Sequence, residues 1–221
     1  SSDLKPAHPL LTPYYIIYVK FYQIGYNRKR GVKMNSHGAN VFEIAKDEGI
    51  KIEDIRDFSS NINPLGPSKM ALESLKENLN LLSTYPDVDY VDLREAISTY
   101  ASCKIENIVL GLGSTEILRD TIYYFAPKTS MILSPCYSEY ERELRKISSH
   151  IFEYNLEEKN DFKINLDQLI NTINEKNIDF LIFANPNNPT GTILKKSEVE
   201  RVLKETEAKV LVDETYIEFT D

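Results

Sequence analysis

Two patterns of apolar residues alternate along residues 68–221. Runs such as residues 180–183 are solidly apolar and predict strands that are buried on both faces. Between the runs, apolar residues recur every three or four positions, as at Leu72, Leu75 and Leu79, which predicts amphipathic helices. The alternation predicts an α/β fold with a mostly parallel sheet covered by helices on both faces.

The predicted elements follow directly from these patterns. Strands are expected over residues 108–110, 131–133, 151–154, 180–183 and 210–212. Helices are expected over residues 68–80, 92–100, 114–125, 139–147, 166–173 and 197–207. In an open parallel sheet, ligands bind beyond the carboxyl ends of the strands, so residues just after the strands are the candidates for chemistry.

The overall composition narrows the class of protein. The 221 residues are 42% hydrophobic, which suffices for a packed core, and their net charge of −8 argues against binding to nucleic acid. Two cysteines, Cys103 and Cys136, give no disulfide framework, as expected of a cytoplasmic protein. No apolar run approaches the roughly 20 residues of a membrane helix, so no membrane partner is expected. No metal site is predicted.

Residues 1–33 differ from the rest of the chain. They hold six basic residues and one acidic residue, a net charge of +5, which leaves −13 for residues 34–221. An apolar stretch precedes their basic group, which is the reverse of a signal peptide. Because Met34 is the first methionine, we hypothesise that residues 1–33 are a leader and that Met34 is the natural start. The alternative is a genuine N-terminal arm.

A glycine-rich turn, Gly111-Leu112-Gly113-Ser114-Thr115-Glu116, follows one predicted strand and opens a helix. Free N–H groups at a helix start attract a phosphate, and glycine allows close approach of the backbone. The turn lacks the third glycine of a dinucleotide fingerprint, and Glu116 would repel a pyrophosphate. The alternative is a plain turn in which Ser114 caps the helix.

An aromatic residue, Tyr137, comes just after the predicted strand over residues 131–133. An aromatic ring at the carboxyl end of a parallel strand can lie flat on a planar ligand. The commoner fate of a tyrosine is a place in the core or at its rim.

The segment Asn185-Pro186-Asn187-Asn188-Pro189-Thr190-Gly191 follows the buried strand over residues 180–183. Proline fixes φ and removes an N–H donor, so two Asn-Pro steps predict a stiff turn. Such a turn can hold Asn188 as a fixed donor towards a ligand. The alternative is a turn with a purely structural role.

The segment Asp213-Glu214-Thr215-Tyr216 follows the last predicted strand. Taken alone, Asp213 suits a helix cap or a solvated turn, and Tyr216 suits a core aromatic. In their order along the chain, however, these four motifs resemble the pyridoxal phosphate (PLP)-dependent aminotransferases of class I and II, which have fold type I. The resemblance implies an aspartate-aminotransferase-like large domain built on an α/β, mostly parallel sheet.

The resemblance also implies a role for each motif towards PLP. Asp213 would face the ring nitrogen and keep it protonated, so that the ring can accept electrons released at the substrate's Cα. Tyr137 would stack on the ring, and Asn188 and Tyr216 would contact its phenolic oxygen. The residues implied to hold the phosphate are Gly113, Ser114 and Thr115.

Residues 35–87 point to one branch of this family. The opening His37-Gly38-Ala39-Asn40 and the run around Asn63-Pro64-Leu65-Gly66-Pro67 resemble histidinol-phosphate aminotransferases and threonine-phosphate decarboxylases, with wording closer to the decarboxylases. The resemblance implies a small phosphorylated amino acid or amine as substrate, bound with help from His37, Asn40 and Asn63. Tyr85 matches the tyrosine that reaches the PLP phosphate of the neighbouring subunit, which implies a homodimer with shared active sites.

The resemblance covers residues 34–221. In the family, the Schiff-base lysine and the arginines that bind phosphate and substrate carboxylate come after the position of Asp221, so this chain is expected to be inactive by itself. The expected organisation is a leader over residues 1–33, an N-terminal segment over 34–67 and a partial PLP-binding large domain over 68–221, incomplete at its C-terminus. Strands that follow in the family insert into the sheet, so we expect a gap in its middle and exposed strand edges.

Two alternatives come from other classes of protein. One is a nucleotide-binding α/β domain that uses the glycine turn without PLP, although this leaves Asn188 and Asp213 without a role. The other is a non-catalytic interaction fragment whose strand edges pair with partners.

The leader hypothesis makes a testable prediction. Deleting residues 1–33 should change the free energy of unfolding by no more than about 0.5 kcal/mol, because their composition matches neither the acidic remainder nor a targeting signal. Denaturant unfolding of the two chains measures the difference. A loss of several kcal/mol would show that residues 1–33 belong to the fold.

Overall fold

The computed structural model describes residues 41–59, 61–63 and 65–220. These residues belong to two compact units, which meet in sequence between Ile108 and Val109.

The first unit, up to Ile108, is helical. Its helices are α1 (Val41–Glu48), α2 (Lys69–Glu77) and α3 (Val91–Ala101), and short 3₁₀ turns cover Ile52–Asp54, Leu79–Ser83 and Ile105–Asn107. The helices predicted over residues 68–80 and 92–100 are therefore confirmed, with the first ending in a 3₁₀ turn.

Apolar side chains of the first unit are mostly exposed. Ile108 is the one hydrophobic residue that is buried among the described residues of this unit. On and after α2, by contrast, Leu72, Leu75 and Leu79 are 40%, 65% and 58% exposed. The helical spacing of these residues thus predicts the helix correctly without showing what covers its apolar face.

The second unit alternates helix and strand. In chain order its elements are α4 (Ser114–Phe125), β1 (Thr129–Ser134), α5 (Ser138–Lys146), β2 (His150–Asn155), α6 (Leu166–Glu175), β3 (Phe180–Ala184), α7 (Lys196–Glu205) and β4 (Lys209–Asp213). All eight were predicted from the apolar pattern, with bounds that shift by one or two residues. Short 3₁₀ turns cover Glu158–Asn160 and Ile217–Phe219.

The four strands form one parallel sheet in the order β2-β1-β3-β4. Alternate residues of β3 enter two different clusters, since successive side chains of a strand point to opposite faces. Leu181 and Phe183 pack in one cluster, with residues of α6 and α7. Phe180 and Ile182 pack in the other, with residues of α4 and α5. The solidly apolar strand is thus buried on both faces, as the sequence predicted.

Two expectations about the sheet are wrong. Residues 108–110 form no strand, and the four described strands pair without a gap between them. An apolar run becomes a strand only where a neighbouring backbone satisfies its N–H and C=O groups, and no described strand pairs with residues 108–110. Because the expected gap required a strand at this position, the gap is absent too.

Replacing a core residue tests this packing. Leu181 is 0% exposed in the central strand β3. Leu181→Ala should lower the free energy of unfolding by about 2–5 kcal/mol, because the change leaves a cavity. Ile193, which is 48% exposed, serves as a control, and Ile193→Ala should cost less than about 1 kcal/mol. Urea unfolding compares both variants with the unchanged chain. Equal losses would contradict the description of the core.

Candidate functional site

A cleft opens at the carboxyl end of β4. Its cavity volume is about 20 Å³, and its walls come from the first turns of α4, the loop after β1 and the end of β4. Three residues predicted from separate motifs, Ser114, Tyr137 and Asp213, share this cleft. The other lining residues are Ile117, Leu118, Leu211 and Val212.

The predicted phosphate turn forms the start of α4. Gly113 has a φ of +93°, which favours glycine, and it stands at the N-cap position without a side-chain cap. Ser114 is the first residue of the helix, so the alternative in which Ser114 caps α4 is wrong. The N–H groups of a first helical turn have no partner within the helix, so this turn can accept an anion.

Glu116 braces the turn. Its carboxylate accepts a hydrogen bond from the Leu112 N–H at 2.6 Å and lies 3.5 Å from the guanidinium of Arg119. The backbone at Gly111 passes so close to Ile117 that an added Cβ would come within 2.6 Å of a side-chain carbon of Ile117. Glu116, which was expected from the sequence to repel a phosphate, is therefore paired with the backbone of the turn and with Arg119.

Tyr137 stands in the loop after β1 and is half-buried. Its hydroxyl lies near the side chain of Thr115, in the first turn of α4. Burial raises the pKa of Tyr137 to about 12, and the charges of nearby carboxylates, including Asp213, add to the effect. The ring is therefore a neutral phenol at neutral pH.

Asp213 is the last residue of β4 and is half-buried. One carboxylate oxygen, Oδ1, accepts from the backbone N–H of Thr215 at 3.0 Å and from its hydroxyl at 2.6 Å. The other, Oδ2, accepts from the hydroxyl of Tyr140 at 2.8 Å. Three donors thus hold a carboxylate that lines the cleft, and neither a helix cap nor a solvated turn describes it.

Sequence reasoning missed Tyr140. The residue lies on α5, three positions after Tyr137, which directly precedes that helix. The only signal in the sequence is this spacing, which does not distinguish a residue beside the site from an ordinary core aromatic.

Hydrogen bonds of Asn185 and Asn187 hold the Asn-Pro segment in place. The buried side chain of Asn185 accepts from the Leu194 N–H at 2.7 Å and donates to the Leu194 carbonyl at 2.9 Å. Asn187 donates to the carbonyl of Pro135 at 3.0 Å, which links this segment to the loop of Tyr137. Asn188 is half-buried, and its side chain makes no hydrogen bond within the described part of the chain. The turn is confirmed, while its stiffness and the ligand contact of Asn188 stay predictions.

Among the remaining predicted residues, Tyr216 belongs to the unit that contains the cleft. Tyr216 is half-buried near Phe219, with ring centroids 6.4 Å apart, and is not among the lining residues. In the first unit, Tyr85 is 89% exposed, and the side chain of exposed Asn63 accepts from the Leu65 N–H at 2.9 Å. His37 and Asn40 lie outside the described residues. The roles of all these residues stay predictions.

The described residues hold neither a metal-binding cluster nor a membrane-spanning helix. Over residues 41–220, apart from the two positions left undescribed, no three His, Cys, Asp or Glu side chains come together in a way that could hold a metal ion. No helix in the same part of the chain is long and apolar enough to span a membrane.

The cleft combines three features at the carboxyl edge of a parallel sheet: a helix start that accepts anions, an aromatic ring and a fixed carboxylate. A carboxylate, an anion site and an aromatic ring that line one cleft suit a planar, phosphorylated ligand with a cationic ring position. The fold and the cleft therefore define an α/β domain of the kind that binds phosphorylated cofactors.

The chain belongs to the family of aminotransferases of class I and II, whose family model matches residues 53–221. A threonine-phosphate decarboxylase from Salmonella typhimurium is 30% identical over 188 residues, which are 84% of this chain and 51% of that protein. A histidinol-phosphate aminotransferase from Methanocaldococcus jannaschii is 32% identical over 185 residues, covering 82% and 49%.

A solved structure agrees with these relatives. The crystal structure of the histidinol-phosphate aminotransferase from Clostridium acetobutylicum superposes with a TM-score of 0.66 at 34% identity, covering 75% of this chain and 49% of that one. The aminotransferase fold predicted from the motifs is thereby confirmed. The chain spans about half the length of the curated relatives it matches.

Cys136, next to Tyr137, allows a test of the environment around the cleft. Burial raises the pKa of its thiol to about 12, with a further contribution from the charges of Glu153 and Glu141. At pH 8 the thiolate fraction is then on the order of 10⁻⁴. In a Cys103→Ser chain, alkylation of Cys136 by iodoacetamide should therefore be slow at pH 8 and accelerate about tenfold per pH unit. The same chain in urea is the control, and a folded-state midpoint near pH 8.5 would contradict the burial.

Proposed function

We propose that this chain forms the cofactor-binding part of a PLP-dependent enzyme that acts on a small phosphorylated amino acid or amine. The observation that carries the proposal is the cleft, in which residues from three sequence motifs, Ser114, Tyr137 and Asp213, line one space. Membership of the aminotransferase family supports it.

The residues of the cleft fit PLP in charge and in hydrogen-bonding capacity. The first turn of α4, with the hydroxyls of Ser114 and Thr115, would hold the phosphate. The carboxylate of Asp213 would hold a proton on the ring nitrogen, and the neutral phenol of Tyr137 would lie against the ring without adding charge. Bound PLP supplies an electron sink for bonds at the substrate's Cα. The residues proposed for its phenolic oxygen are Asn188 and Tyr216.

A buried acceptor in the Asn-Pro segment, one residue before Asn188, supports this fit. The side-chain oxygen of Asn187 is buried and has no hydrogen-bond partner among the described residues, although the amide nitrogen donates to Pro135 and Thr190. A buried polar atom without a partner costs about 1–3 kcal/mol. A donor brought by a bound molecule would remove this cost.

The substrate class rests on the N-terminal motifs and on the relatives. We propose His37, Asn40 and Asn63 as contacts of a substrate phosphate, to which a protonated imidazole adds charge. The named relatives include both a threonine-phosphate decarboxylase and a histidinol-phosphate aminotransferase. We favour threonine phosphate, because the opening motif resembles the decarboxylases more closely.

We further propose that the enzyme is a homodimer in the cytoplasm. Tyr85, at 89% exposure, is free to reach the PLP phosphate held by a second copy, as the family resemblance implies. Cys103 and Cys136 are both free thiols, which suits a reducing compartment.

The first experiment measures binding of PLP by the chain. Titration followed by absorbance and equilibrium dialysis should show that Asp213→Asn weakens PLP binding about tenfold or more, because a neutral amide no longer favours the protonated ring nitrogen. Asp161→Asn is the matched control, because its side chain is 82% exposed in a surface turn, and it should bind as the unchanged chain does. Binding of ATP in place of PLP would support the nucleotide-binding alternative and overturn the proposal.

The second experiment uses the full-length gene product. It should release carbon dioxide from threonine phosphate, whereas amino transfer from histidinol phosphate to 2-oxoglutarate would assign the aminotransferase reaction. Asp213→Asn should raise the barrier by several kcal/mol in either case, roughly a thousandfold loss of rate. Equal use of an unphosphorylated amino acid, unaffected by His37→Ala, would overturn the phosphate contacts and leave the PLP assignment standing.

A further inference from the structure

Tyr140 joins two of the side chains that line the cleft. It lies on α5, is 0% exposed and packs in the apolar cluster that contains Ile132 and Ile182 of the central strands. Its position is thus fixed by the core, and its hydroxyl is the one polar atom of the side chain that needs a partner.

That partner is Asp213. The Tyr140 hydroxyl donates to Oδ2 of Asp213 at 2.8 Å, across 73 positions of sequence. Burial and then the negative charge of Asp213 raise the pKa of Tyr140 well above its ordinary value. The phenol therefore keeps its proton over the whole physiological range and acts as a permanent donor to the carboxylate.

The other two hydrogen bonds to Asp213 are local. Both come from Thr215, two residues further on, and both reach Oδ1. Such bonds form within the turn and move with it, so they do not fix the carboxylate relative to the sheet. The bond from Tyr140 is the long-range one, and it sets the rotation of the carboxylate against the core.

The carboxylate of Asp213 keeps one hydrogen-bond acceptor position available for a ligand. A carboxylate offers about four lone-pair positions. Described residues fill three of them, two on Oδ1 and one on Oδ2. One position on Oδ2, beside the Tyr140 hydroxyl, is left to accept the N–H of a protonated ring.

The same tyrosine supports the aromatic wall of the cleft. The rings of Tyr137 and Tyr140 pack edge to face, with centroids 5.5 Å apart and an interplanar angle of 85°. A pair of this geometry is a favourable aromatic contact. One buried side chain therefore contacts both the ring and the carboxylate that would face a planar ligand.

We propose that Tyr140 is a positioning residue for the cofactor: it orients Asp213 towards the ring nitrogen through its hydroxyl and supports Tyr137 through its ring. This inference rests on the proposed PLP function. Tyr140 acts through its two neighbours and needs no contact of its own with the cofactor.

The test replaces Tyr140 by phenylalanine in this chain and titrates PLP labelled with ¹⁵N in its ring. Tyr140→Phe keeps the ring that packs on Tyr137 and removes the donor to Asp213. The dissociation constant should rise about fivefold to tenfold, because one charge-assisted hydrogen bond is lost. The ring nitrogen of bound PLP, followed by its ¹⁵N chemical shift, should also lose its proton at a lower pH, because a less well-oriented carboxylate stabilises the protonated form less.

Three further chains make the result specific. Tyr124→Phe removes the same atom from a residue that is 79% exposed near the end of α4, and it should change neither quantity. Tyr140→Leu removes the aromatic support as well and should weaken binding more than Tyr140→Phe. Replacing Tyr140 by 4-aminophenylalanine restores an N–H donor and should restore binding and the protonation profile, even if the phenylalanine chain proves unstable.

The outcomes distinguish failure of the inference about Tyr140 from failure of the proposed function. Binding of PLP by the unchanged chain with no difference in Tyr140→Phe, in either affinity or nitrogen protonation, overturns this inference and leaves the proposed function intact. A lower melting temperature with weaker binding but an unchanged protonation profile shows a merely structural role and also overturns it. If the unchanged chain binds no PLP, the proposed function fails, and this inference fails with it.

Discussion

The pairing of β3 with β4 is the constraint on which the site depends. Ala184 lies opposite Asp213 in the register, and the Asn185 N–H donates to the carbonyl of Asp213 at 2.8 Å, one residue beyond the strand. The Asn-Pro segment and the carboxylate therefore begin at the same level of the sheet. A slip of one residue would turn the side chain of Asp213 to the opposite face and away from Tyr140.

The electrostatics of the cleft follow from which charges are already engaged. Glu116 is occupied by the Leu112 N–H and by Arg119, so it does not leave an unbalanced charge at the start of α4. Asp213 is held by neutral donors, which fix the carboxylate and leave its charge uncompensated. The cleft thus has a partial positive charge at the start of α4 and a full negative charge at Asp213. This arrangement selects the orientation of a dipolar ligand.

How much the sequence predicts depends on whether a feature is local. The strands β1 and β3 were predicted because full burial leaves a solidly apolar run, and the helices between them because apolar residues recur every three or four positions. Tyr137 and Asp213 were found because each follows a strand, and Ser114 was found because it follows two glycines at a predicted helix start. The strand expected over residues 108–110 was not formed, because strand formation depends on a partner that no local pattern encodes. Tyr140 was missed for the same reason, since its role depends on a residue 73 positions away.

The outer strands of the sheet have a consequence for how copies of the chain behave together in solution. Among the described strands, β2 and β4 each pair on one side only, and unpaired strand edges are the surfaces through which proteins aggregate. The net charge of −13 over residues 34–221 opposes such encounters by mutual repulsion. Salt shortens the reach of this repulsion to about 10 Å at 0.1 M, whereas backbone hydrogen bonds are hardly screened. Colloidal stability of the protein should therefore be greatest in dilute buffer at a pH well above its isoelectric point of about 5.1.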